Sequence, residues 1–161
     1  MIFVTVGTHE QPFNRLIEYV DKMVGAGKIN DKVIIQTGYS TYKVKYCECY
    51  DLIAWEEMQK LYKDADVIIT HGGPASFIDA LVLGKTPIVV PRQFKYNEHV
   101  NDHQLEFSKK MKAKGLNIIV VDDINDLLSA INSVKDNESE NFKSNNDKFN
   151  SDLIQNIKKL F

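Results

Sequence analysis

The fold of this chain is decided by the stretch Asp66-Val67-Ile68-Ile69-Thr70-His71-Gly72-Gly73-Pro74-Ala75-Ser76. After the aspartate it begins with β-branched residues, a composition typical of a strand buried on both faces of a parallel sheet. The two glycines and the proline interrupt that pattern, and residues 77–83 then have the composition of a helix that ends at Gly84. A strand, a glycine-bearing turn and a helix are the unit from which parallel α/β sheets are built.

The same alternation extends in both directions along the chain. Residues 2–6 are an almost wholly apolar strand, and the helix that follows Pro12 carries an apolar stripe from Phe13 to Val24. The predicted strands span residues 2–6, 32–37, 44–50, 66–70, 86–90 and 117–121, and the predicted helices span 12–24, 55–63, 77–83, 102–114 and 124–134. This order predicts an α/β fold with a doubly wound parallel sheet.

Length and composition exclude several classes of protein. The chain has 161 residues, 43% of them hydrophobic and 26% charged, which is enough for one domain with a core. Twenty Lys+Arg against 22 Asp+Glu give a net charge of −2, so we expect no nucleic acid among its partners. No apolar run approaches the roughly 20 residues of a transmembrane helix, and the N-terminus does not resemble a signal peptide. Two cysteines are too few for a disulfide framework, and a cytoplasmic location is the expectation.

Three segments of different character divide the chain. Residues 1–134 carry the alternation of strands and helices and form the predicted domain. Residues 135–148 are rich in Asn, Lys, Ser, Glu and Asp, which is typical of a solvated polar linker. In residues 149–161 the spacing of Phe149, Leu153, Ile157 and Leu160 predicts an amphipathic helix, which we expect to dock on this domain or on a partner.

Polar loops follow three of the predicted strands, at the edge of the sheet where ligands bind in such folds. In the first, residues 7–11, a glycine permits a tight turn before a helix whose amides favour an anion; an ordinary turn is the alternative. In the second, Gly72 and Gly73 expose backbone N–H groups at a helix N-terminus, which favours a phosphate or diphosphate. Ser76 adds a hydroxyl, and Asp79 is placed to accept hydrogen bonds from ribose; helix capping is the alternative for both.

The third loop, residues 92–104, is long and polar, as functional loops often are. On a helix His99 and His103 would share one face, as zinc-binding pairs do. Contacts to a sugar hydroxyl and helix capping are the favoured interpretations, and no metal is expected. Cys47 and Cys49 have no second cysteine pair to complete a zinc site, so we expect them to be ordinary sheet residues.

Taken in order, these motifs resemble the UDP-sugar-binding, C-terminal half of glycosyltransferase family 28. The resemblance covers roughly residues 1–134 and rests on Val4-Thr5-Val6-Gly7-Thr8, on His71-Gly72-Gly73-x-x-Ser76-x-x-Asp79-Ala80-Leu81-x-x-Gly84-Lys85-x-Pro87-x-x-x-Pro91, and on His103-Gln104. Enzymes of this family have the GT-B architecture, with two Rossmann-like domains. The resemblance therefore implies a Rossmann-like sheet that forms the donor-binding half of such an enzyme.

Chain length adds an expectation to this resemblance. A complete two-domain enzyme would need about twice as many residues, so we expect the split form of the family. In that form a small subunit pairs with a membrane-anchored subunit that binds the acceptor, as in bacterial capsule and exopolysaccharide enzymes and in the eukaryotic dolichol-diphosphate N-acetylglucosamine transferase. Residues 5–13 are most similar to the bacterial polysaccharide branch, which is the one we favour. The partner would recruit the chain from the cytoplasm to the inner face of the membrane.

The resemblance also implies roles for individual residues. Gly72, Gly73 and Ser76 would hold the diphosphate, Asp79 the ribose (many relatives have glutamate there), and Gln104 the donor sugar. The full set of implied donor-binding residues is Gly7, Thr8, His71, Gly72, Gly73, Ser76, Asp79, Asn101, Asp102 and Gln104.

The implied reaction is an inverting transfer of a hexose from a UDP-sugar to a hydroxyl of a lipid-diphosphate-linked sugar. Helix amides rather than a metal would stabilise the departing UDP, so no cofactor is expected. Inversion needs a general base, and His9 is the candidate within this chain; a base on the partner is the alternative.

A non-catalytic nucleotide-sugar-binding module is the second interpretation of the chain's function. A relative of the sugar-nucleotide epimerases is a third and is disfavoured, because those enzymes also need both halves in one chain.

Overall fold

A computed structural model describes residues 1–139 and residue 155. The strands in this part of the chain are β1 (Ile2–Thr5), β2 (Val33–Gln36), β3 (Glu48–Tyr50), β4 (Val67–Thr70), β5 (Ile88–Val89) and β6 (Ile119–Val120). The helices are α1 (Asn14–Gly25), α2 (Trp55–Asp64), α3 (Pro74–Val82), α4 (His103–Ala113) and α5 (Leu127–Ser139). Short 3₁₀ turns occur at Phe94–Tyr96 and Ile124–Asp126. No helix among the described residues is both long and apolar enough to cross a membrane.

The six strands form one sheet in the order β3-β2-β1-β4-β5-β6, and all neighbouring pairs are parallel. The chain therefore winds outward from β1 in one direction and then from β4 in the other. In such a sheet the loops after the two central strands diverge to opposite faces and leave a crevice at the carboxyl ends of the strands. The predicted Rossmann-like, doubly wound parallel sheet is confirmed.

The central strands are buried on both faces, as their apolar sequences predict. Ile2 and Val4 of β1 pack with α1 and α5 on one face, whereas Phe3 packs with α2 and Ile68 on the other. Because alternate side chains of a strand point to opposite faces, one continuous apolar run serves both layers of helices. This packing holds the loops after β1 and β4 side by side at one edge of the sheet.

The third strand is shorter than the predicted span of residues 44–50. The buried carboxylate of Asp21 in α1 accepts the backbone N–H groups of Lys45, Tyr46 and Cys47 at 3.0, 2.8 and 3.1 Å. Those amides are therefore turned toward α1 and do not pair with β2. Burial alone would raise the pKa of Asp21, but these hydrogen bonds hold it below its ordinary value.

The last described helix is longer than predicted. α5 continues to Ser139, so the first residues of the predicted linker at 135–148 are helical. The remainder of that linker lies outside the described residues, as does the predicted helix at 149–161 apart from residue 155. The division of the chain at residues 134 and 148 stays a prediction.

Candidate active site

A cavity of about 530 Å³ lies at the carboxyl end of the sheet, where α3 and α4 begin. Its size is within the range of small-molecule binding sites. The lining residues come from the loop after β4 and from the third loop with α4, namely Gly72, Gly73, Pro74, His99, His103, Gln104, Glu106, Phe107 and Lys110. The second and third predicted loops therefore meet at one place.

The loop between β4 and α3 is organised by the His71 side chain. Its Nδ1 accepts the backbone N–H of Gly73 at 3.0 Å, and its Nε2 lies 3.0 Å from the Ser76 hydroxyl oxygen. A backbone N–H can only donate, so Nδ1 is unprotonated, and the neutral ring carries its proton on Nε2 and donates it to Ser76. His71 thus connects both ends of the first turn of α3.

His71 is held in its neutral form. Burial lowers the pKa of His71 to about 4, and the nearby positive charge of Arg92 acts in the same direction. A protonated ring would also have no lone pair with which to accept the Gly73 N–H. At neutral pH His71 is therefore a structural acceptor and donor, and it does not have the protonation chemistry of a general base.

Two glycines allow the His71 ring to sit against the backbone. Gly7, directly after β1, has φ +75, and a Cβ there would lie 2.5 Å from His71 Nε2. A Cβ on Gly73 would overlap the same ring. Gly7 and Gly73 are thus both needed for the His71 ring to pack against the backbone. This packing joins the loops that follow the two central strands.

Gln104 connects the second loop to the third. Its side-chain Oε1 accepts the backbone N–H groups of Gly72 at 3.0 Å and Arg92 at 3.1 Å, and its Nε2 lies 3.3 Å from His71 Nδ1. The amide of Gln104 is therefore satisfied by the protein itself. The N–H groups of Gly72 and Gly73, expected from the sequence to face a diphosphate, are likewise bonded to Gln104 and His71.

The other predicted donor-binding residues lie at the same edge but are not all in the cavity. Asn101 accepts the N–H of His103 at the start of α4, and Asp102 accepts the N–H of Phe94, so both stabilise the third loop. Thr8 is exposed in the first loop. Asp79, half-buried in α3, lies near Tyr62 of α2 and is absent from the cavity lining. The proposed contacts of these residues with a donor stay predictions.

His9 lies in the first loop and is oriented by Gln11. The Gln11 side chain donates from Nε2 to the carbonyl of Asn97 at 3.2 Å, which directs its Oε1 toward His9 Nε2 at 2.9 Å. Nε2 of a neutral His9 therefore carries the proton, and Nδ1 carries the lone pair. The His9 ring stacks on His99 with 4.5 Å between ring centroids.

The histidine pair considered as a metal site is not formed as a helical pair. α4 begins at His103, so His99 lies in the loop before it, where it stacks on His9. No group of three or more His, Cys, Asp or Glu side chains in the described residues is arranged to hold a metal ion.

Three residues of this edge were not among the predicted site residues. They are Arg15, Arg92 and Glu98, which bind one another and the surrounding loops. Arg92 is fully buried and Glu98 is 2% exposed, although the sequence places both in a polar loop. Their burial depends on residues far away in the chain, so a local pattern does not predict it.

A doubly wound sheet with a glycine-rich helix start in its central crevice is the architecture of nucleotide-binding domains. The chain matches the model of the glycosyltransferase family 28 C-terminal domain over residues 1–158. It belongs to this family of glycosyltransferase domains.

Curated relatives and a solved structure agree with this assignment. The human UDP-N-acetylglucosamine transferase subunit ALG13 is 31% identical over 123 residues, which are 71% of this chain and 10% of that protein. The UDP-N-acetylglucosamine--N-acetylmuramyl-(pentapeptide) pyrophosphoryl-undecaprenol N-acetylglucosamine transferase of Finegoldia magna is 30% identical over 128 residues, 75% of this chain and 33% of that protein. The crystal structure of MurG from Acinetobacter baumannii matches with a TM-score of 0.55 at 18% identity, over 83% of this chain and 40% of that one.

The chain thus corresponds to less than half the length of each of these proteins. The family model that this chain matches describes a C-terminal domain, and the solved structure shares its fold.

Proposed function

We propose that this chain is the donor-binding, catalytic subunit of a two-subunit inverting glycosyltransferase. In this proposal it binds a UDP-sugar in the cavity between α3 and α4 and transfers the sugar to a lipid-diphosphate-linked acceptor held by a membrane-anchored partner. The observation that carries the proposal is the cavity itself, which opens where α3 and α4 begin, at the carboxyl edge of the sheet of a family 28 domain. Capsule or exopolysaccharide synthesis is the process we favour.

The start of α3 supports the binding of a diphosphate. The first-turn amides of a helix have no acceptor within the helix, and the helix dipole favours a negative charge there. The N–H groups of Gly72 and Gly73 already have acceptors, so the amide of Ala75 and the hydroxyl of Ser76 are the donors we assign to the diphosphate. Gly72 and Gly73 contribute by bringing the backbone close to the ligand. Lys110, which lines the cavity, supplies a positive charge.

His9 supports the catalytic part of the proposal. In an inverting transfer the acceptor hydroxyl oxygen bonds to the anomeric carbon while the bond from that carbon to the diphosphate oxygen breaks. The hydroxyl proton passes to the base, and UDP leaves with the additional negative charge on its diphosphate. We assign the proton to Nδ1 of His9, because Gln11 holds Nε2 in its protonated form.

A partner subunit is proposed because the chain matches one domain of a glycosyltransferase family. The matched family model describes a C-terminal domain, and the human relative is named as a subunit of a transferase. Phe94 and Val100 in the third loop are 59% and 66% exposed, which suits coverage by a second, acceptor-binding unit. Recruitment from the cytoplasm to the inner face of the membrane is part of the same proposal.

The donor site is tested first with the purified chain. Calorimetric titration with UDP, without and then with magnesium, is expected to show binding that does not require the metal. Gly73→Asp should abolish it, because the new side chain overlaps His71 and places a negative charge at the start of α3. Gly27→Asp, at the end of α1 with no atom near the added Cβ, is the matched control and should bind UDP as the unchanged chain does.

Transfer is tested in the complex with a co-expressed membrane partner and a lipid-diphosphate-linked sugar acceptor. UDP-glucose, UDP-galactose and UDP-N-acetylglucosamine belong in the donor screen, since both curated relatives are named as N-acetylglucosamine transferases. His9→Ala should lower the turnover by about 10²–10⁴-fold with UDP binding retained. The exposed neighbour Glu10→Ala should leave turnover unchanged. UDP binding without transfer from any of these donors would favour the non-catalytic binding module.

A further inference from the structure

The chain contains only two arginines among its 20 basic residues, and the remaining 18 are lysines. The two arginines, Arg15 and Arg92, lie 77 positions apart in the sequence, but both bind the segment that includes Pro91 and Glu98. A chain that otherwise uses lysine therefore has its two arginines at one place in the fold. Arginine offers a planar fork of donors to several acceptors at once, whereas lysine acts as a point charge.

The guanidinium group of Arg92 joins the two loops that flank the site. It donates from one terminal nitrogen to the carbonyls of Gln11 and Glu98 at 2.6 and 3.0 Å, and from the other to the carbonyl of Val6 at 2.7 Å. Val6 and Gln11 are at the two ends of the loop that carries His9. Arg92 therefore holds both ends of that loop against the third loop.

Arg15 and Glu98 form a second layer behind Arg92. Arg15 reaches the two carboxylate oxygens of Glu98 through Nε and a terminal nitrogen at 2.9 and 3.0 Å, and it also donates to the carbonyl of Pro91. One oxygen of Glu98 accepts the N–H of Gln93 as well. The ring of Phe13 lies within 5.5 Å of Arg15 and 5.0 Å of Arg92, which fills the space at the two guanidinium groups.

We propose that Arg92, with Arg15 and Glu98, forms a clamp that sets the position of the His9 loop before substrate binds. Arg92 is then a positioning residue, because it holds the loop of the proposed base through the Val6 and Gln11 carbonyls and acts through that loop. The effect of the clamp on catalysis rests on the proposed function. The clamp itself is a set of contacts within this chain and does not depend on that function. The turn at His71 and Gly73 is held by other hydrogen bonds, so donor binding does not depend on the Arg92 side chain.

Hydrogen–deuterium exchange of the purified chain tests the clamp without any substrate. Arg92→Lys keeps the charge but cannot reach all three carbonyls, so exchange in residues 7–13 and 93–101 should rise about tenfold or more. Exchange in β1, β2 and β4 should stay unchanged. Ile131→Ala, a buried core change in α5, is the control for general destabilisation and should not raise exchange selectively in these loops. Unchanged exchange in the loops of Arg92→Lys, or a uniform rise across the sheet, would overturn the clamp.

Kinetics in the complex with the partner test the positioning role. Arg92→Lys should lower kcat about tenfold while the dissociation constant of UDP changes less than about threefold. A loss of UDP affinity equal to the loss of kcat would overturn the role. If the unchanged complex transfers no sugar, the proposed function fails, and the clamp is then decided by exchange alone.

A milder variant covers the case in which Arg92→Lys does not fold. Glu98→Gln leaves Arg92 in place and weakens the ion pair with Arg15, so exchange should rise about threefold or more in residues 12–15 and 91–98, and less in residues 7–11. Exchange that is unchanged in both segments would contradict the clamp.

Discussion

The ring of His71 lies directly against the backbone of Gly73 and accepts its N–H at 3.0 Å. This contact stabilises the turn that opens α3, and the opposite ring nitrogen connects it to Ser76. The turn is thus shaped by one neutral imidazole as well as by its glycines.

Gly73→Ala should separate the two residues. The backbone of Gly73 has φ −68, which alanine adopts freely, so the effect comes from overlap of the methyl group with the His71 ring. We expect a loss of roughly 1–3 kcal/mol in the free energy of unfolding and a loss of UDP affinity of about tenfold or more. Urea denaturation and calorimetry measure both. Gly27→Ala, with φ +72 and open space around the new methyl group, is the control that should lose stability but retain UDP affinity. Retained affinity in Gly73→Ala would contradict the prediction.

Stability should fall in mild acid because of His71. Its pKa is lowered to about 4 in the folded chain, while an unfolded histidine titrates near its ordinary 6.5. Between these values the unfolded chain binds more protons, so the stabilisation is complete above pH 6.5 and is lost as pH falls toward 4. The loss attributable to His71 is up to about 3 kcal/mol. Urea denaturation from pH 7.5 to 4.5 should show a steeper decline in the unchanged chain than in His71→Gln. Parallel declines would show that His71 is not the cause.

Gln104→Ala should destabilise the folded chain by about 2–4 kcal/mol. The Gln104 Oε1 is the acceptor for two backbone N–H groups, those of Gly72 and Arg92, and its removal leaves both without that partner. Gln59→Ala, at a half-buried position in the middle of α2, serves as the matched control. We expect that change to alter the free energy of unfolding by no more than about 0.5 kcal/mol. Equal effects of the two substitutions in urea denaturation would mean that the bridge contributes little.

The ribose role of Asp79 is tested with two ligands. Asp79→Asn should weaken UDP binding about tenfold, because a carboxylate accepts ribose hydroxyl hydrogen bonds more strongly than an amide. For 2′-deoxy-UDP the two proteins should differ less. Calorimetry with both nucleotides measures the difference. If Asp79→Asn binds UDP normally, its position near Tyr62 of α2 is the better account of this half-buried carboxylate.

The order of strands and helices could be predicted from local pattern, and most elements lie within a few residues of their predicted positions. The third strand is the exception. Residues 44–47 have a sequence typical of a strand, but β3 begins only at Glu48. Their amides are bound by Asp21, which lies 24 to 26 positions earlier in the chain. A side chain from another element overrode the local preference, and no periodicity indicates such a contact.

Local sequence pattern also predicted part of the candidate site. The glycines and the His71 turn follow a buried strand, so their place at the carboxyl edge of the sheet follows from the fold class. His99 and His103 were considered as a helical pair, but the helix starts at His103, and His99 stacks on His9 instead. The internal bonding of Gln104 could not be predicted, because two of its partners, Gly72 and His71, lie 32 and 33 positions away in another loop.

By itself, the sequence determined the doubly wound parallel sheet and the three loops at its carboxyl edge. These follow from apolar periodicity and from the placement of glycine and proline, which act over a few neighbouring residues. Only the tertiary structure decided which polar groups satisfy one another. Arg92 reaches the carbonyl of Val6 across 86 positions, and Gln104 reaches Gly72 across 32. Buried polar groups need partners, and folding brings those partners together from any distance in the chain.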